Sequence, residues 1–392
     1  MADPQVMKKT IRDSTSSANI DQVVAEHLHL QLSVDFDKKQ LCGYAQYIFR
    51  SKMDGLTTVS LDINGLQVET VLNVSGTEVY NFIVEDAQNG LGQCLTIVLN
   101  ESVNMGESVV LRIQYVTSPD ASGLQWLPPQ QTEGKKYPYL FSQFQAIHCR
   151  SALPCQDTPA VKIPYSASIT VPKPLAAMMS ALARKSAPSD DRIVYTFEQP
   201  VPIPSYLIAI VVGNLESREI SARCRVYCEP EKIDACEKEF SNTEKYLQAA
   251  ESITFPYVWE RYDLLVLPSS FPYGGMENPC LTFVTPTLIA GDQSNTNVVA
   301  HEIAHSWSGN LVTNSSWRHF WLNEGFTVFL ERKIIGRLHG EPHRQFAHLR
   351  GHKALTDSIE RYGEGGAQFT KLLLDDSSED PDIAFSSVPY EK

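Results

Sequence analysis

Short runs of alternating hydrophobic and polar residues dominate the first two hundred positions of this 392-residue chain. Such alternation, with β-branched residues at apolar positions and turn residues between the runs, is typical of half-buried strands. The clearest runs are Thr58–Ile63, Thr96–Leu99, Val109–Val116 and Ile193–Phe197. The pattern predicts an all-β amino-terminal domain over residues 1–213, closed by an apolar strand at Tyr206–Val212.

The spacing of the hydrophobic residues changes after this strand. Phe240–Ile253 repeats apolar residues at helical intervals, and long helical patterns follow Val266. A chain of this length also exceeds what a single hydrophobic core usually holds. We therefore expect a second, mainly helical domain over residues 214–392.

Composition and charge narrow the possible classes of protein. The net charge of −13 argues against a nucleic-acid-binding protein, which normally carries a basic face, and mildly favours a cationic substrate. Residues 1–17 lack the apolar core of a signal peptide, and the longest apolar run is far shorter than a membrane span. These features predict a cytoplasmic protein without a membrane span, for which a monomer is favoured. The eight cysteines are expected to be reduced thiols.

Residues 301–305 read His-Glu-Ile-Ala-His, a spacing that suits a metal site on a helix. Side chains four positions apart lie on one helix face, so His301 and His305 can bind one zinc ion at ~2.0–2.1 Å. Glu302 then lies beside the metal position rather than on it, as a general base does. Alone, the motif also fits a helix with two solvated histidines.

A third metal ligand is predicted at Glu324. This residue follows His305 after 18 intervening positions and lies within a second helical pattern, Trp321–Ile335. Three protein ligands leave the fourth position of a tetrahedral zinc open for water, as a catalytic site requires. Glu324 therefore favours a catalytic metal site over two solvated histidines.

Upstream of this motif the chain reads Gly-Gly-Met-Glu-Asn at 274–278, preceded by Tyr273. Two consecutive glycines provide a backbone that can run alongside an extended substrate. The carboxylate of Glu277 could hold the protonated amine of a peptide by a charge-assisted hydrogen bond. Alone, such a segment is also compatible with a purely structural turn.

Together, these motifs resemble the gluzincin aminopeptidases of the M1 family. Five segments resemble the leukotriene A4 hydrolase branch of that family in particular: Ser142–Pro159, Val201–Gly213, Tyr262–Thr285, Trp317–Glu324 and Ser386–Lys392. The aminopeptidase B branch is the next nearest. The resemblance covers essentially the whole chain. It implies a β-rich domain followed by a thermolysin-like, mainly helical zinc-peptidase domain.

The resemblance also implies roles for individual residues. His301, His305 and Glu324 match the zinc ligands, Glu302 the general base and Tyr390 the donor that stabilises the oxyanion. The implied substrate-binding residues are Gln145, Tyr273, Gly274, Gly275, Met276, Glu277 and Asp382. Within this set, Gln145 and Glu277 match the groups that hold the substrate's free amino terminus.

Two departures from the family pattern limit these implications. Phe385 stands where many relatives have a tyrosine that an epoxide substrate can alkylate, so product geometry and self-inactivation are expected to change. In the family, the residue that matches Tyr390 is followed by further helices and a helical carboxy-terminal domain. The catalytic domain is therefore expected to be incomplete here, and no residue that binds a substrate carboxylate can be assigned.

The resemblance implies a zinc-dependent aminopeptidase that acts on peptides with a free amino terminus. Hydrolysis of the epoxide leukotriene A4 to leukotriene B4 is implied as a second activity. Two alternatives stay open at this point: a peptidase of aminopeptidase B type without a lipid substrate, and a catalytically weak, truncated form.

Overall fold

The computed structural model describes residues 13–374 and 380–391, and the amino-terminal part of this region is built from strands. Within the described residues, the strands that precede position 214 are β1 (Val23–Asp35), β2 (Gln40–Ser51), β3 (Leu56–Ile63), β4 (Gln67–Leu72), β5 (Val79–Asp86), β6 (Gln93–Val103), β7 (Ser108–Val116), β8 (Leu124–Leu127), β9 (Tyr139–Ser142), β10 (Ile163–Pro172), β11 (Ala176–Met179), β12 (Leu182–Ser189), β13 (Arg192–Ile203) and β14 (Ile210–Gly213). All four predicted strand runs lie within these elements.

Ten of these strands form one large sheet in the order β12-β13-β10-β1-β2-β7-β4-β5-β6-β3. Neighbouring strands are antiparallel except for the parallel pair β1 and β10. Buried and partly exposed side chains alternate strictly along β10, so one face of the sheet covers the core. This alternation explains why the sequence pattern identified the strands.

The remaining four strands form a second sheet in the order β11-β14-β9-β8. Every residue of the two central strands, β9 and β14, is buried, so these strands are covered on both faces. The predicted strand Tyr206–Val212 is only partly correct, since a 3-10 turn occupies Ser205–Leu207 and the strand begins at Ile210. The Ser205 hydroxyl donates to Asp157 Oδ1 at 2.7 Å, a contact that the apolar run does not reveal.

A third sheet follows in the carboxy-terminal half of the chain. Its strands are β15 (Glu216–Glu219), β16 (Arg225–Cys228), β17 (Asp263–Val266), β18 (Gly275–Met276) and β19 (Leu281–Val284), in the order β15-β16-β17-β19-β18. The expectation of helices directly after Val266 is therefore wrong. Strands β17 and β19 are buried at every position, and such continuous apolar runs lack the alternation that marks a half-exposed strand.

The α-helices lie mostly at the end of the described region. They are α1 (Ile233–Phe240), α2 (Thr243–Glu251), α3 (Asn297–His305), α4 (Phe320–His339), α5 (Glu341–Tyr362) and α6 (Val388–Glu391). Further 3-10 turns lie at Pro129–Gln131, Cys149–Ser151, Pro230–Lys232, Pro286–Leu288, Trp317–His319, Glu364–Thr370 and Pro381–Ala384. The helix predicted over Phe240–Ile253 corresponds to α2, which begins three residues later, at Thr243. The order of a β-rich part followed by a helix-rich part is confirmed.

Packing of α3 against the core determines which of its side chains point away from that core. Val299, Ala300, Ile303 and Ala304 are buried in a core that also contains residues of β16, β17 and α2. Because this core holds one side of the helix, His301 and His305 lie on the opposite side. Within the described ranges, no helix is both long and apolar enough to cross a bilayer.

Candidate active site

A cavity of about 690 Å³ lies between β18 and the helices α3, α4, α5 and α6. Among the residues that line it are nearly all those singled out from the sequence: Gln145, Tyr273, Gly274, Gly275, Met276, Glu277, His301, Glu302, His305, Glu324, Phe385 and Tyr390. Asp382 is not among the lining residues. The fold therefore brings together segments that are separated by almost 250 positions in the chain.

The three predicted metal ligands converge at one end of helix α3. The Nε2 atoms of His301 and His305 are 3.2 Å apart. Glu324 Oε2 lies 3.4 Å from each of these two nitrogens. The three atoms thus form a nearly equilateral triangle.

Contacts on the far side of each imidazole orient the two rings. His301 Nδ1 lies 3.0 Å from Glu331 Oε2, and His305 Nδ1 lies 2.9 Å from the carbonyl oxygen of Ser308. Both partners are acceptors, so each Nδ1 keeps its proton, and a bound cation would displace only the proton on Nε2. The neutral tautomer that binds a metal is therefore the one that this environment selects.

The residues present fit one zinc ion. Tetrahedral ligands at ~2.0–2.1 Å from a single ion lie about 3.3–3.4 Å from one another, close to the edges of the observed triangle. Glu324 Oε2 is buried and has no hydrogen-bond partner, an arrangement that a bound cation would satisfy. The carboxylate of Glu331, 3.0 Å from His301 Nδ1, adds negative charge behind this ligand.

Two neighbouring carboxylates in this site have opposite pKa shifts. Burial raises the pKa of Glu302 to about 8, although the two histidines lower it by more than the charges of Glu277 and Glu324 raise it. Burial would also raise the pKa of Glu324, but the two histidines beside it, His305 first, outweigh burial and lower this pKa to about 2. Glu324 is therefore an anion suited to a cation, whereas Glu302 can exchange a proton near neutral pH.

Glu302 is held against the edge strand β18. A Cβ at position 275 would lie 2.2 Å from Glu302 Oε1, so only glycine leaves room for this carboxylate. The other oxygen, Oε2, is buried without a hydrogen-bond partner. The first glycine of the pair, Gly274, has no such contact, because its nearest neighbour would be a Val298 methyl group at 3.9 Å.

Unpartnered polar atoms cluster at the end of the cavity next to Glu277. Glu277 is buried, and its Oε1 has no hydrogen-bond partner and lies 4.0 Å from His305 Nδ1. Gln143 Oε1 and Gln145 Nε2 are also buried without partners. Both glutamines follow β9, so the buried small sheet positions them. Glu277 Oε1 and Gln143 Oε1 are acceptors and suit a protonated amine, whereas Gln145 can accept from one only through its Oε1.

Tyr390 lies over the histidine end of the site on the short helix α6. Its ring centroid is 6.1 Å from that of His301 and 6.1 Å from that of Phe320. Burial raises its pKa well above the usual value, and the nearby glutamates, Glu324 first, add to the effect. The hydroxyl therefore stays protonated and can donate a hydrogen bond. Phe385 packs with its ring centroid 4.5 Å from Phe320.

Asp382 is directed to a histidine rather than into the cavity. Its carboxylate oxygen Oδ2 lies 3.0 Å from His148 Nε2, and the other ring nitrogen, Nδ1, lies 2.8 Å from Ser122 Oγ. The hydrogen bond to Asp382 raises the pKa of His148, although burial opposes it. The structure thus places this predicted substrate-binding residue beside the site.

Several residues of the site were not identified from the sequence. Glu331 follows Glu324 by seven positions in α4, a spacing that places two side chains on one helix face and could have indicated it. Gln143 and Thr327, whose Oγ1 is 3.1 Å from His305 Nδ1, have no comparable local signal. Their positions depend on contacts between distant segments.

Comparison with known families identifies the chain. The Peptidase M1 N-terminal domain matches residues 24–207, and the Peptidase family M1 domain matches residues 238–392. The chain therefore belongs to peptidase family M1. Zinc is the cofactor that this membership supports, which confirms the predicted cofactor, while the assignment of its three ligands stays a prediction.

Individual relatives refine this placement. The chain is 50% identical over 383 residues to a leukotriene A-4 hydrolase of Xenopus laevis, and 45% identical over 385 residues to a leucine aminopeptidase 2 of Neosartorya fischeri. Both matches cover 97% of this chain and 62% of the relative, so the chain spans less than two thirds of their length.

Solved structures give the same picture. The structure of yeast LTA4 hydrolase in complex with bestatin superimposes with a TM-score of 0.90 at 44% identity, covering 98% of this chain and 60% of that one. An M1 zinc metallopeptidase from Deinococcus radiodurans, at 22% identity, covers 97% of this chain and 83% of that one with a TM-score of 0.74, which shows a shared fold.

Proposed function

We propose that this chain provides the active site of a zinc aminopeptidase that removes residues from the free amino terminus of peptides. The observation that carries the proposal is the triangle formed by the two Nε2 atoms of His301 and His305 and Glu324 Oε2. Its edges suit one zinc ion, and the buried, unpartnered carboxylate oxygen of Glu277 lies on the same cavity. When bound, zinc supplies Lewis-acid polarisation of a carbonyl and lowers the pKa of water towards ~7.

The protein's own residues divide the remaining work. Glu302, with its raised pKa, takes a proton from the attacking water and delivers it to the leaving amine. Glu277 and Gln145 bind the substrate's ammonium group and thereby place the first peptide bond at the reacting position. Tyr390 donates a hydrogen bond to the oxygen on which negative charge develops.

Epoxide hydrolysis is a second proposed activity. It is supported by the 50% identity to a protein named leukotriene A-4 hydrolase, and leukotriene A4 is the proposed substrate. The relatives named leucine aminopeptidase 2 favour the alternative of a peptidase alone. The contact between Asp382 and His148 bears on this choice, because this carboxylate would need to turn towards the cavity to act on an epoxide substrate.

Metal content and turnover, measured on the same samples, test the peptidase proposal. The variant Glu302→Gln leaves the three ligands in place, so about one zinc per chain should remain while hydrolysis of an arginyl chromogenic amide falls by ~10²-fold or more. In His305→Gln, zinc content and turnover should fall together.

The exposed variant Glu360→Gln serves as the matched control and should resemble the parent in both measurements. Full zinc occupancy in His305→Gln would contradict the ligand assignment. Near-normal turnover in Glu302→Gln would remove that residue from its proposed role.

A further inference from the structure

Helix α6, which carries Tyr390, is fixed to helix α4 by a largely buried ion pair. Arg332 Nη2 in α4 donates to Glu391 Oε2 in α6 at 2.5 Å. The two side chains are only 14% and 17% exposed. A pair with so little solvent contact is much more sensitive to loss of one partner than a surface pair, because the remaining charge is left without compensation.

Helix α5 has a glycine, Gly351, at the point where it contacts this ion pair. A Cβ at position 351 would lie 2.0 Å from Glu391 Oε2 and 2.1 Å from Arg332 Nη2. Gly351 is buried, whereas the rest of α5 is partly or fully exposed. Glycine within a helix costs about 0.5–1 kcal/mol relative to alanine, so its presence here calls for a compensating contact, and the ion pair provides one.

A second close contact, between Gly325 and Pro389, packs α6 against α4 beside the proposed ligand Glu324. A Cβ at position 325, directly after Glu324, would lie 3.1 Å from the carbonyl oxygen of Pro389, directly before Tyr390. Helix α6 is only four residues long and cannot be stable by itself. The place of its tyrosine therefore depends on contacts with α4 and α5.

We propose that Arg332, Glu391 and Gly351 form a positioning unit that holds the Tyr390 hydroxyl over the reacting carbonyl. This inference rests on the proposed function, since it assigns the supports of the oxyanion donor. None of the three residues needs to contact the substrate for this role. They act through Tyr390, and their loss should displace its hydroxyl.

A double-mutant cycle separates this role from a general structural one. In the full chain, Glu391→Gln should lower kcat by about 10- to 100-fold with little change in KM, as expected when a catalytic group is misplaced by about an ångström. In the Tyr390→Phe background the same substitution should change kcat by less than about threefold, because the donor it positions is already absent.

Gly351→Ala is a second route to the same displacement and should reproduce the effect of Glu391→Gln. Gly365→Ala is its matched control, because a Cβ at that position meets no atom within 4 Å. The exposed pair Lys353–Asp357 supplies a second control, in which Lys353→Gln should leave turnover unchanged. Zinc content should be equal in all of these variants. An equal loss of kcat from Glu391→Gln in the parent and in Tyr390→Phe would overturn the proposal.

Hydrogen exchange gives a readout that does not depend on activity. In Glu391→Gln and Gly351→Ala, amides in the peptide 385–391 should exchange at least about tenfold faster than in the parent, while peptides of α3 keep their rates. If the parent shows no peptidase turnover, the proposed function fails and this measurement alone decides the positioning unit. Unchanged exchange in both variants would overturn it.

Discussion

The orientation of each imidazole at this site is set by what its Nδ1 contacts. The carboxylate of Glu331 and the carbonyl of Ser308 both accept hydrogen bonds, so they hold the Nδ1 protons of His301 and His305. The motif itself was predictable, because residues four apart on a helix must share a face. Its outer contacts are harder to predict, because Ser308 acts through its backbone carbonyl and only the seven-residue spacing from Glu324 points to Glu331 in α4.

Selectivity for a free amino terminus is a prediction at this scale. Glu277→Gln keeps the size of the side chain and removes its charge, so the charge-assisted hydrogen bond of about 1.5–3 kcal/mol to an ammonium group is lost. We expect kcat/KM for free-amine peptides to fall by about 10- to 100-fold. Steady-state kinetics with matched free and amino-acetylated peptides measures this change.

The acetylated peptides provide the internal control for this experiment. They lack the ammonium group, so they should be poor substrates for the parent, and Glu277→Gln should affect them little. Equal cleavage of both peptides by the parent would contradict the proposed anchor.

At the scale of elements, a buried arginine, Arg150, connects the 3-10 turn Cys149–Ser151 to neighbouring segments of the β-rich part. Arg150 Nε lies 2.9 Å from Asp157 Oδ2, and its two terminal nitrogens donate to the carbonyl oxygens of Leu91 and Thr15. Both members of the ion pair are almost completely buried. The segment between Ser142 and Pro159 therefore lies in a fixed place next to the cavity.

Loss of this arginine should be strongly destabilising. Arg150→Met leaves Asp157 buried without its counter-charge, so the free energy of unfolding should fall by about 3–5 kcal/mol. Urea unfolding followed by circular dichroism measures this difference. Arg184→Met, which breaks the exposed pair with Glu198, is the control and should cost less than about 1 kcal/mol. Similar small losses in both variants would contradict the role assigned to Arg150.

Elements with one exposed face were predictable from the sequence, and fully buried elements were not. Strand β10 alternates between core and surface, which gives a period of two. Strands β17 and β19 are buried on both faces, so their apolar runs lack this period. The helical region predicted after Val266 therefore wrongly includes β19. The boundary near Gly213 stays a prediction.

At the scale of the whole molecule, distant segments meet through the pair His148 and Asp382. One residue precedes the turn at Cys149–Ser151, and the other lies 234 positions later on the segment that leads to Tyr390. The sequence could not indicate this contact, because nothing in the local pattern of either segment refers to the other.

Stability should depend on pH through this contact. The hydrogen bond to Asp382 raises the pKa of His148 above its ordinary value of 6.5, despite the opposing effect of burial. A raised folded-state pKa means that the stabilisation is fully present below pH 6.5 and is lost as the pH rises through the raised value. The parent should therefore be more stable than His148→Gln at pH 6, and the difference should shrink by pH 9.

Urea unfolding of both proteins at the two pH values tests this expectation. The exposed histidine His352 is the control, and His352→Gln should follow the pH dependence of the parent. A difference between the parent and His148→Gln that grows from pH 6 to pH 9 would contradict the assigned pairing.

Strand β18 ends the third sheet, pairs only with β19 among the described strands and borders the cavity. It contains two residues, so the edge it offers is about 7 Å long. Backbone amides and carbonyls are the same in every peptide, and pairing along such an edge would sense the direction of a bound chain but not its side chains. If the proposed peptide substrates pair along this edge, the edge itself would set their direction and leave the choice of side chains to other parts of the cavity.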